Sequence, residues 1–149
     1  MVDCFDTIRI HHLIYSVTPY TKFHHSSFEY GFFNCLHTYL PSDVKAILLL
    51  DRGFHRVELQ EFLNEKGFFY VIRSGGTAWT SSSRYEGYLG NCIRERGKMV
   101  DLQEAKIRRH NPLSTRVVGV WAKNQKEAWI LVTNLDENAH IPHHQSQVF

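Results

Sequence analysis

The spacing of apolar residues shifts along the chain, and each shift predicts an element. Residues 8–17, IRIHHLIYSV, are dense in β-branched and aromatic types and predict a strand, or two short ones. Past Pro19 and the polar stretch His24 to Ser27, Phe28, Phe32, Leu36 and Leu40 recur every fourth residue, with Phe33 and Tyr39 beside them. That period predicts a helix capped by Ser26 or Ser27 and ended by Pro41. Val44 to Leu50, VKAILLL, is a continuous apolar run, which predicts a short strand covered on both faces, central or parallel in its sheet. Over 54–66, Leu59, Phe62 and Leu63 share one helical face while Glu58, Glu61 and Glu65 lie elsewhere, and Gly67 supplies a stop. Phe68 to Ser74, FFYVIRS, predicts the next strand. The first half is therefore strand, helix, strand, helix, strand, an α/β arrangement with a partly parallel sheet.

After Ser74 the texture changes. Gly75 to Asn91 is rich in Gly, Ser and Thr with scattered aromatics and has no helical period. Thr115 to Lys123 and Glu127 to Leu135 predict two strands joined by NQKE as a hairpin. A mostly β segment thus follows the third strand. From residue 136 the chain loses its period, ends in a His-rich stretch and predicts an unstructured tail. No internal repeat is present.

Composition narrows the class. A chain of 149 residues with 43% hydrophobic and 21% charged positions has room for one soluble domain with a core. No apolar stretch approaches the roughly 20 residues of a membrane span, and no signal peptide precedes the first strand, which predicts a cytoplasmic protein. Cys4, Cys35 and Cys92 stand far apart, which fits a reducing compartment and neither a disulfide framework nor a zinc site. The net charge of +2 is unevenly spread: 7 Lys/Arg against 8 Asp/Glu before Gly75, but 10 against 4 from Arg84 to Lys126. A basic half suits a polyanionic partner, although excess charge also keeps proteins soluble. Lys106, Arg108 and Arg109, in KIRRH, are either a solvated charge run or a phosphate-contacting strip. His140 to His144 are either a transition-metal site or, as clustered His in a tail more often is, unstructured, while His11, His12, His24 and His25 lack cysteines or carboxylates at ligand spacing.

Asp51 halts the apolar run and is followed by Arg52 and Gly53. Ligands of open α/β sheets bind beyond the carboxyl ends of strands, where a carboxylate suits a hard cation such as Mg²⁺. Equally, Asp51 there is a helix cap, with Gly53 easing the turn.

LLLDRGF, then VELQEFLNEKGFFYVIRS, then AWILVTNL, in that order and spacing over about Leu13 to Leu135, resemble the catalytic domain of DDE transposases of bacterial insertion sequences, the IS-four-like group. The resemblance implies an RNase H-like core interrupted by a mostly β insertion, with 1–74 as partial catalytic core, 75–127 as the basic insertion and 128–135 as a strand returning to the core. It implies Asp51 as the second catalytic Asp and a metal ligand, Mg²⁺ as cofactor, and DNA transposition as the activity. Its partners would be the double-stranded DNA of transposon ends and further copies of the chain, in a bacterial cytoplasm. It also tilts Lys106, Arg108 and Arg109 towards DNA contact. Such chemistry uses two Mg²⁺ ions about 4 Å apart on three carboxylates. The chain departs from the family there. Only Asp3, Asp6 and Asp43 precede Asp51, with Asp6 incidental and the family's first strand missing. After Asn134 only Glu137 is offered, and it is not the Glu of the family's Tyr-(2)-Arg-(3)-Glu-(6)-Lys helix, because no helix of sufficient length follows. The expectation is a transposase fragment truncated at both ends of its core, with one acid of three, inactive alone. The alternatives are a DNA-binding remnant that interferes with an intact transposase, and an α/β protein with no nucleic-acid role.

Overall fold

The computed structural model describes residues 25–136. The expected strand over 8–17, Asp3, Asp6, Glu137 and the tail with His140 to His144 lie outside them. The chain divides into two compact units, residues 1–41 and 42–149. In the first, α1 spans His25–Tyr39, the helix the four-residue period predicts, but it starts before Ser26 and Ser27, which lie within it and do not cap it. Phe32 meets Phe33 edge-on with ring centroids 5.5 Å apart.

Among its described residues the second unit is a seven-stranded mixed sheet carrying one α-helix. Its elements are β1 (Ile47–Leu50), α2 (Val57–Glu65), β2 (Phe69–Arg73), β3 (Trp79–Ser81), β4 (Glu86–Tyr88), β5 (Lys98–Ile107), β6 (Leu113–Trp121) and β7 (Trp129–Thr133). The strand order is β1-β2-β7-β6-β5-β3-β4. β1 and β2 are parallel, joined through α2; every other pairing is antiparallel. The fold is α/β. Strands from 75–127 extend the same sheet as β1 and β2, and β7 lies between β2 and β6.

Local sequence accounts for the elements near the site. Asp51 leaves β1 in extended conformation, and Arg52–Phe54 make a 3₁₀ turn, so α2 starts at Val57. At its end Gly67, at φ +73°, provides the left-handed residue that a Schellman stop requires. The amide of Phe68 donates to the Leu63 carbonyl at 2.9 Å and that of Gly67 to Asn64 at 3.0 Å. Leu59 and Leu63 are fully buried, and α2 packs on β2. Opposed residues share a face, so Leu50, Ile72, Val132, Val117 and Leu102 form one row across five strands. Four of them, Ile72, Val132, Val117 and Leu102, are buried and join Leu89, Ala105, Ile107 and Ile130 in the core.

β1 corrects one expectation. It is parallel to β2, as the apolar run predicts, but among the described residues it is an edge strand. Leu48 and Leu50 are half-buried, whereas Ile47 and Leu49 on the other face are 54% and 79% exposed. A strand covered on both faces was the chief structural support for an RNase H-like core, and the described sheet does not provide it. No helix among the described residues is long and apolar enough to cross a membrane.

Candidate nucleic-acid interface and the Asp51 site

Asp51 stands at the carboxyl end of β1, exposed, in the N-cap position of the 3₁₀ turn. Its backbone carbonyl accepts from the Phe54 amide at 3.0 Å, but its carboxylate makes no capping bond. The turn therefore forms without help from the side chain. At the same end of the sheet, Glu127 accepts from both Arg52 and Arg73, the latter at 2.6 Å, and the Arg73 guanidinium lies 4.8 Å over the Trp129 ring. This carboxylate is thus held by two guanidinium groups. Among the described residues no three His, Cys, Asp or Glu side chains group as a metal site. A two-Mg²⁺ centre needs further carboxylates beside Asp51, and among the described residues none is grouped with it.

The AWILVTNL segment, Ala128 to Leu135, is tied to β2 by side chains as well as by its ladder. Asn134 accepts from the Tyr70 amide and donates to the Phe68 carbonyl, each at 2.9 Å, and so extends the β2–β7 pairing past its last strand residue. The Thr133 hydroxyl donates to the Tyr70 carbonyl at 2.5 Å. Burial pushes the Tyr70 phenol up to about 12, so its hydroxyl stays protonated and reaches Gln60 at 3.4 Å.

The basic strip is built by the β3–β5 pairing. Ser81 faces Lys106 and Thr80 faces Ile107, and the Arg108 amide donates to the Trp79 carbonyl at 2.9 Å. That ladder brings KIRRH beside a tryptophan about thirty positions earlier. The Arg109 guanidinium lies 3.8 Å over the Trp79 ring, and Tyr88 meets Trp79 edge-on with ring centroids 5.4 Å apart. Arg109 and Lys106 are exposed. Arg108 behaves differently. At φ +72° it turns back into the β5–β6 loop, donates to the carbonyls of His110 and Asn111 at 2.8 and 3.1 Å, and pairs with Glu58 at 2.5 Å. The structure thus leaves Lys106 and Arg109 on the surface and commits Arg108 to holding its own loop. Glu86, opposite Ser81 on β4, adds one acid to this rim.

Beside the rim, His55, Val57, Ala78, Trp79 and Ile107 line a cleft of about 330 Å³. The Nε2 atom of His55 is buried without a hydrogen-bond partner, and burial pulls the imidazole pKa down. Sequence reasoning missed His55, Trp79, Glu58 and Glu127. Each gains its role only through strand register or the α2 entry, and none stands in a local motif. Compared with protein-family models, with curated proteins and with solved structures, the chain matches none.

Proposed function

We propose that this chain is a DDE-transposase-derived protein of insertion sequences that contacts duplex DNA through its basic rim and does not cleave it alone. One observation carries the reading. The three stretches that carry the family resemblance, at Ile47–Leu50, Phe69–Arg73 and Trp129–Thr133, occupy three adjacent strands, with Asp51 at a carboxyl end. On this reading those strands are what remains of an RNase H-like core, and β3 to β6 belong to its basic insertion. Catalysis is left to an intact transposase, in keeping with β1 at the edge of the described sheet and Asp51 outside any group of acids among the described residues. Both features favour the reading in which the chain competes with an intact transposase for DNA. Lys106 and Arg109 supply exposed cations on the rim, and among the described residues no helix adjoins them that could enter a major groove, so contact is to phosphates and tolerant of sequence.

The test is titration of the protein into labelled duplexes of differing sequence at low salt, with Mg²⁺ or Mn²⁺ present. Expected are dissociation constants on the order of 10⁻⁴–10⁻⁶ M for all duplexes, and intact DNA afterwards. Absence of binding at low ionic strength would remove the DNA role. Cleavage abolished by Asp51→Asn would instead place the missing acids outside residues 25–136, with Asp6 and Glu137 first to examine.

A further inference from the structure

The geometry points to β1 as a self-association edge: two copies of the chain pair β1 to β1 antiparallel about Leu48, joining their sheets into one. This stands apart from the DNA reading and rests on β1 alone. The amide of Phe69 donates to the Ala46 carbonyl at 3.1 Å, so in the parallel β1–β2 ladder Ala46, Leu48 and Leu50 turn their peptide groups towards β2. Ile47 and Leu49 therefore turn theirs to the outer edge, where no described strand pairs with them. An apolar edge of this kind is a ready template for another strand.

A second copy fits that template because the sequence is complementary to itself about Leu48. With Leu48 opposite its own copy, Ile47 faces Leu49 and Lys45 faces Asp51, twice over by symmetry. Ile47 and Leu49 then form the hydrogen-bonded pairs, as their outward peptide groups demand, and the Leu48 pair is the non-bonded one. Lys45, Ile47, Leu49 and Asp51, two residues apart along the chain, are all exposed, with Ile47 and Leu49 within β1 and Lys45 and Asp51 flanking it. Lys45 and Asp51 make no side-chain bond with any described residue. The pairing brings the apolar residues of the two copies together and closes both ends of the seam with opposite charges. A parallel or shifted register would lose the charge match, and a shift by one residue would also turn the apolar face over.

Sedimentation of the full chain at concentrations up to roughly 1 mM reads even a weak association. A dimer is expected for the native chain. Lys45→Asp places two acids at each end of the seam, and Asp51→Lys places two cations there. Each reversal turns two attractive cross-strand pairs into repulsive ones and should weaken the dimer roughly tenfold or more. Mixing the two variants restores both opposite-charge pairs and should recover the dimer as a heterodimer. Leu49→Lys should give monomers. Both charge variants alter exposed positions, and circular dichroism checks that they fold. A native chain that stays monomeric, an oligomer that grows past two, or a dimer indifferent to the charge reversals would each overturn the proposal.

Discussion

Arg108 turns into the β5–β6 loop while the guanidinium of its neighbour Arg109 lies over the Trp79 ring, so two adjacent cations take separate duties. The Arg108–Glu58 pair is more than a third exposed on both sides, and such pairs contribute about 0–1 kcal/mol. Its two carbonyl contacts add a comparable amount. Arg108→Ala should therefore lower the urea-derived stability by about 1–2 kcal/mol while leaving the slope of DNA affinity against salt nearly unchanged. Lys106→Ala and Arg109→Ala should do the reverse, with stability held within about 0.5 kcal/mol and a shallower salt slope. His55 gives a pH signature. Its folded pKa lies below the ordinary 6.5 because burial disfavours the imidazolium. The unfolded chain then takes up the proton first. The contribution of neutral His55 is complete above about 6.5 and is lost as pH falls towards the folded pKa. Unfolding midpoints measured from pH 8 to 5 should fall for the native chain and fall less for His55→Phe.

At the scale of elements, α2 was legible because its apolar residues keep one helical face, and β1, β2 and the β6–β7 hairpin because each is a short run of apolar residues bounded by polar or turn-forming ones. β5 was not. Leu102 pairs with Val117 but Ala105 with Thr115, so one extra residue bulges from β5 with Glu104 at φ +49°. Alternation changes phase across the bulge, and Leu102, Ala105 and Ile107 become buried although their spacing in sequence is irregular. The 3₁₀ turn at Arg52–Phe54 likewise moved the start of α2 beyond residue 54. Beside the bulge, Arg116 on β6 makes a two-pronged pair with Asp101 on β5, at 3.0 and 2.7 Å, with the guanidinium side chain only 15% exposed. Removing the carboxylate leaves a largely buried charge short of a partner. Asp101→Ala should lower stability by about 1–3 kcal/mol in urea titrations, clearly more than Glu58→Ala, whose pair is exposed.

For the whole molecule, the periods identify strands but not their order, since order depends on which strands meet across long separations. β7 comes last in sequence and takes a central place between β2 and β6. That placement sets Glu127 near Arg52 and Arg73. The same long-range pairing decides how much of the basic excess is available to a polyanion. Between Arg84 and Lys126 ten cations face four acids, yet Arg108 and Arg116 are matched to Glu58 and Asp101 within the fold. Contact through one rim then involves far fewer phosphates than ten. With about three of them neutralised, the slope of log affinity against log salt should be near −3 on duplex DNA. Raising salt from about 50 to 200 mM should accordingly weaken binding roughly fortyfold to sixtyfold. Fluorescence anisotropy across that range measures it. A slope near −9 would mean that the whole basic half wraps the DNA, and a slope near zero would return Lys106 and Arg109 to the role of solvated surface.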